Sequence, residues 1–134
     1  MKFPSEDNSR IAVLSGGVGP EREVSLNSGQ ALADALEEFF PVDLIDLTKR
    51  EIPSELDPSK HVVFPVIHGT FGEDGSLQAL LEENGFSYAG CDSSSSRLCM
   101  NKGLCKDQVA GDGVRVVPDF RFENTREVSA AKVV

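Results

Sequence analysis

The chain has little with which to grip a metal ion or a nucleic acid. His61 and His68 are its only imidazoles, which excludes a histidine-rich metal site. Its three cysteines, Cys91, Cys99 and Cys105, are odd in number and contain no Cys-x-x-Cys pair. That leaves neither a disulfide framework nor a zinc spacing, and the thiols read as reduced and partly buried. Positive charge is also scarce. Thirteen Lys and Arg stand against 22 Asp and Glu, a net charge of -9. That balance argues against nucleic acid and against anionic membrane surfaces. No apolar run approaches the ~18–20 residues of a membrane span. The first seven residues hold no apolar signal core, so the cytoplasm is the default location. What remains is 134 residues, 40% hydrophobic and 26% charged, enough for one domain with a core.

The patterning predicts alternating strands and helices. Residues 10–15 read as a buried parallel strand, because their apolar side chains run without alternation. Val24, Ser28, Ala31, Leu32, Ala35, Leu36 and Phe39 fall at three- and four-residue spacing, one stripe of a helix that Pro41 ends. Residues 41–47 and 61–67 read as further strands, with Pro65 expected near an edge or strand end. A short helix over 76–84, capped by Gly85, precedes a fourth strand over 86–89. This alternation predicts an α/β fold, a three-layer Rossmann-like parallel sheet. After Gly90 the character changes: helices are expected over 93–100 and 102–110, a strand over 114–122 broken at Pro118, and a last helix from Asn124. Residues 1–9 read as a disordered tail, 10–95 as an N-terminal α/β substrate-binding domain, and 96–134 as the opening of a second domain.

Two glycine-bearing loops fall on one rim of such a sheet. The first, Gly16-Gly17-Val18-Gly19-Pro20-Glu21-Arg22-Glu23, fails the dinucleotide fingerprint, since Arg22 stands where the third glycine belongs. No Gly-Lys-Ser/Thr follows, so it is not a phosphate loop either. Glu21 stands where a phosphate would want no carboxylate; taken alone it also reads as a first-turn acid facing a helix dipole. The second loop, residues 68–75, carries His68 and Glu73, with Asp74 as an expected N-cap. Glu21, His68 and Glu73 together suit a ligand with an ammonium and a carboxylate, such as a free amino acid. A rival pattern is Cys91-x5-Arg97, a cysteine-phosphatase spacing; against it, Asp92 repels phosphate and the loop lacks glycine.

These motifs in this order resemble the D-alanine–D-alanine ligase family. The matching pieces are Gly16-Gly17 through Glu21-Arg22-Glu23-Val24-Ser25-Leu26, Ser28-Gly29, His68-Gly69, Gly72-Glu73-Asp74-Gly75, Leu77-Gln78, Leu80-Leu81-Glu82, Tyr88-Ala89-Gly90 and Met100-Asn101-Lys102. The resemblance implies a pre-ATP-grasp domain followed by the truncated start of an ATP-grasp domain. It implies ATP- and Mg2+-dependent joining of two D-alanines through an acyl phosphate, for peptidoglycan precursors, by a homodimer. By the same likeness Glu21 holds the ammonium of the first D-alanine, His68 supports that substrate, Gly16 and Gly17 shape its loop, and Glu73 backs the rim. Lys102 matches a lysine used on the ATP phosphates. Gly19, Asn101 and Cys91-Asp92 depart from the family pattern. With most of the catalytic apparatus absent, the 134 residues alone are expected to be inactive and to bind no cofactor. The alternative is a non-catalytic binding or regulatory module of the same fold.

Overall fold

The computed structural model describes residues 9–122. The expected tail, apart from Ser9, and the expected last helix lie outside them. Two compact units are formed, residues 1–100 and 101–134.

In the first unit the apolar 10–16 run becomes β1 (Arg10–Gly16), and Ala12, Val13 and Leu14 are fully buried. Burial on both faces is what an unalternating strand requires. The chain then forms α1 (Arg22–Leu36), β2 (Val42–Leu47), β3 (His61–Pro65), α2 (Ser76–Glu83), β4 (Ser87–Tyr88) and α3 (Ser93–Met100). All strand pairs are parallel, in the order β2-β1-β3-β4. The expected doubly wound α/β sheet is therefore present. β3 ends at Pro65, the residue with no ladder N–H to give.

Side-chain alternation along β1 sorts the two faces. Ala12 and Leu14 join Leu47, Leu56, Val63, Ile67, Phe71, Leu77, Leu81 and Phe86 in one apolar cluster under α2 and the 48–60 connection. Ser15 points the other way, onto α1 at Gly29, where an added β-carbon would lie 2.4 Å from that of Ser15. This contact corrects the expected stripe. The buried line of α1 is Ser25, Gly29 and Ala33, whereas Val24 and Phe39 are 56% and 75% exposed. Close seating of a helix on a sheet selects small residues, so apolar spacing alone pointed to the wrong face. The helix also stops at Leu36, and a turn carries the chain to Pro41.

At the amino end of the sheet Arg10 donates through Nε and Nη2 to Asp43 at 2.5 and 2.6 Å. His61 Nε2 lies 3.2 Å from the same carboxylate. The Arg10 guanidinium, against some burial and with help from His61, holds the Asp43 carboxyl below its ordinary 3.8.

In the second unit α4 (Lys102–Gly111) is capped by Asn101, whose Oδ1 accepts the Leu104 N–H at 3.1 Å. Residues 114–122 are not the expected strand. No described strand pairs with them, and Val117 and Phe120 are 76% and 51% exposed. A strand without a neighbour leaves its backbone groups to water and gains nothing from its apolar side chains. Among the described residues no helix is long and apolar enough to cross a membrane.

Two stability outcomes follow from this packing. Leu14→Ala leaves a void in the sealed cluster and lowers stability by ~2–5 kcal/mol in denaturant melts. Asp43 adds stability above its ordinary value, and that share is lost as pH falls through its depressed folded-state value. The melting temperature therefore drops below about pH 4, and Asp43→Asn removes this component of the acid-induced drop.

Candidate functional site

Both glycine-bearing loops leave the carboxyl ends of β1 and β3, and one buried hydroxyl joins those ends. Ser25, in the second turn of α1 and fully buried, accepts the Gly16 N–H at 2.8 Å and donates to the Val66 carbonyl at 2.5 Å. Val66 in turn donates its N–H to Leu14 O at 2.8 Å. Sequence reading did not single out Ser25 as functional. Its signal was there: a hydroxyl heading the small-residue line 25, 29, 33.

Gly16 and Gly17 have φ of +83° and +88°, a region open mainly to glycine. Their flanks are filled by the protein itself. A β-carbon on Gly16 would stand 2.2 Å from Asp46 Oδ1, and one on Gly17 2.9 Å from Ile67 Cγ2. Arg22 closes this loop as a fork, with Nη1 2.8 Å from Asp46 Oδ1, Nη2 2.5 Å from Oδ2, and Nη1 also reaching Gly17 O at 3.2 Å. The one cation of the loop is thus spent on Asp46. At Gly19 a β-carbon meets nothing within 4 Å, so the loop has room for the side chain that the family pattern carries there.

Glu21 occupies the N-cap position of α1, yet its side chain makes no capping bond. Its carboxylate reaches instead toward the second loop, with Oε2 2.7 Å from the point where a Gly69 β-carbon would sit. The two loops therefore meet at Gly69. Glu73 accepts the Gly69 N–H at 3.0 Å through Oε2, and its Oε1 lies 3.7 Å from His68 Nδ1. The structure brings Glu21, His68 and Glu73 to one rim.

The second loop is held tightly. Gly72 has no room for a β-carbon, which would fall 2.1 Å from Ile67 O. Gln78, 7% exposed, donates from Nε2 to Gly72 O at 2.7 Å. Phe71, a buried non-glycine residue, sits at φ +82°. That conformation is strained and persists only where neighbours enforce it. Asp74 supplies the enforcement, accepting the Phe71 and Ser76 N–H groups at 3.0 Å each. Burial opposes its charge, but these bonds prevail and keep its carboxyl below the usual value. The N-cap of α2 is Gly75 rather than Asp74. The Asp74 carboxylate serves both sides of that residue, taking the N–H of Phe71 in the turn and of Ser76, the first residue of α2.

The phosphatase alternative fails at α3. Asp92 Oδ1 takes the Ser95 N–H at 2.7 Å, and Glu82 Oε1 takes the Ser93 N–H at 2.9 Å. Carboxylates already hold amides that a phosphate cradle must leave open. The cysteines are free, with Cys91 and Cys99 exposed and Cys105 half-buried, so two of the three are more open than expected. Lys102 is exposed on the first turn of α4, in the second unit. Among the described residues no three His, Cys, Asp or Glu side chains gather as a metal site.

Ser25→Ala leaves the buried Gly16 N–H without its acceptor and removes the donor to the half-buried Val66 carbonyl, at about 1–3 kcal/mol. Urea melts read that loss, and faster hydrogen exchange at the Gly16 amide locates it.

Comparison with known proteins places these features. Residues 46–91 match a family model described as D-ala D-ala ligase N-terminus. A D-alanine–D-alanine ligase of Thermotoga petrophila is 45% identical over 114 residues, which cover 83% of this chain and 37% of that protein. One from Clostridium beijerinckii is 37% identical over 127 residues, 92% of this chain and 42% of the relative. The crystal structure of D-alanine–D-alanine ligase from Aeromonas hydrophila superposes with a TM-score of 0.73 at 31% identity, covering 93% of this chain and 54% of that one. The Bacillus anthracis enzyme gives 0.68 at 31% identity, over 78% and 35%. The chain spans well under half the length of these curated relatives.

Proposed function

The chain is a relative of the D-alanine–D-alanine ligases, matching their N-terminal portion, and on that premise we propose that its rim seats the first D-alanine of an ATP-dependent ligase. The observation that carries this reading is Glu21. It stands at a helix N-terminus without capping it, with its carboxylate turned to the neighbouring loop and the loop's arginine already paired with Asp46. A carboxylate so placed receives an ammonium.

His68 supports the same substrate from the end of β3, and Glu73, tied to the Gly69 N–H, sets the imidazole side of the rim. Gly16 and Gly17 give the first loop the path that presents Glu21. The chain's own part in the reaction is thus to bind and orient the amino acid and to exclude others. ATP and magnesium supply the carboxylate activation when bound. The described residues offer them only Lys102, exposed on α4, and no acidic cluster. Residues 96–134 open the domain that carries that chemistry in the same proposal. Pairing of two copies and a cytoplasmic location also belong to it.

Glu21→Gln keeps the shape and removes the charge. Loss of a hydrogen bond to a charged group, ~1.5–3 kcal/mol, weakens D-alanine binding roughly 10- to 100-fold. Titration followed by amide NMR checks this, with an unchanged melting temperature as control. Equal affinity in the variant overturns the assignment. The 134-residue chain given ATP, Mg2+ and D-alanine releases no phosphate in a coupled assay; release would show that the chemistry resides in these residues.

A further inference from the structure

Behind His68 lies a cavity of about 370 Å³. Its lining includes His68, Glu73, Cys91 and Cys99. The floor is fixed by Gln78, which is bonded to Gly72 and whose Oε1 has no partner among the described residues. Both thiols are free and exposed. Cys91 lies just before α3 and Cys99 near its end, and both line the cavity.

We infer that Cys91 and Cys99 form a modification site for small, neutral, soft electrophiles, and that the adduct fills this cavity and shuts the amino-acid seat at His68. The inference rests on the proposed function for the identity of the displaced ligand, but not for the chemistry at sulfur. A thiolate is the nucleophile. With an activated alkene such as N-ethylmaleimide, sulfur forms a bond to one alkene carbon and the carbon–carbon π bond breaks. The neighbouring carbon takes up the proton, and nothing leaves. Neutral reagents are favoured because Asp92 adjoins Cys91 and Glu73 faces the same space, so an anionic reagent is repelled by two carboxylates.

The test treats the chain with N-ethylmaleimide and maps adducts by peptide mass spectrometry. Adducts are expected on Cys91 and Cys99, with iodoacetate reacting less there relative to Cys105. The His68 ring signals shift on modification, while those of His61, at the opposite end of β3, stay in place. D-alanine affinity falls about tenfold or more, and D-alanine slows labelling. The Cys91→Ser/Cys99→Ser double variant keeps D-alanine binding and loses the sensitivity. Adducts on both thiols that leave the His68 signals unmoved overturn the inference, as does labelling confined to Cys105. If the His68 signals shift but the untreated chain binds no D-alanine, the modification site stands and the proposed substrate falls.

Discussion

The rim depends on one hydroxyl. Ser25 joins the end of β1 to the chain leaving β3 through two hydrogen bonds, and it does so from α1. Three elements that are far apart in sequence are thereby fixed at the point where both loops begin. The rise per strand residue is about 3.3 Å, so a slip of one residue at either strand end would carry Glu21 and Gly69 out of reach of each other. The small residues of α1 follow from the same constraint. Gly29 and Ala33 let the helix sit close enough for a serine, the shortest hydroxyl side chain, to span both strands.

Charge on this rim is arranged by subtraction. A chain of net charge -9 has carboxylates to spare, and most near the loops are neutralised or bonded. Asp46 takes both guanidinium arms of Arg22, Asp74 takes two backbone N–H groups, and Glu73 takes the Gly69 N–H. Glu21 has no capping bond. A glycine-rich turn into a helix ordinarily favours an anion. Here the helix end carries an acid of its own, and in the proposed function that acid turns the preference toward a cation. Such an inversion is local, so overall composition does not point to it.

The sequence made the strands legible because their physics is local. Unalternating apolar runs announced a sheet buried on both faces, and Pro65 marked a nearby edge or end, although the strand was expected to reach residue 67 and β3 stops at Pro65. The two loops were legible because glycines mark the breaks between strand and helix. The buried face of α1 was hidden, because periodicity weighs apolar residues while the packed line is Ser25, Gly29 and Ala33. The role of Asp74 was hidden as well. Its spacing from α2 fits a cap, and it does take the Ser76 N–H, but only the strained Phe71 shows that the same carboxylate also holds the turn. Residues 114–122 have strand composition, but a strand is defined by its neighbour, which no local pattern supplies.

The rigidity of the second loop makes the site's affinity separable from its stability. Gln78 holds Gly72, Asp74 holds Phe71, and α3 comes so close to Gly75 that a β-carbon there would lie 2.3 Å from Ser93 O. Glu82 binds α2 to α3 by accepting the Ser93 hydroxyl and N–H and the Tyr88 hydroxyl. Those bonds hold the Glu82 carboxyl below its usual value, and burial with the Glu82 contact raises the Tyr88 phenol. The clasp therefore stays charged on one side and protonated on the other across the neutral range. A loop held from α2, α3 and its own turn pays little ordering entropy when a ligand arrives. In the proposed function, substitutions at the rim side chains Glu21 and His68 change what binds without changing whether the domain folds.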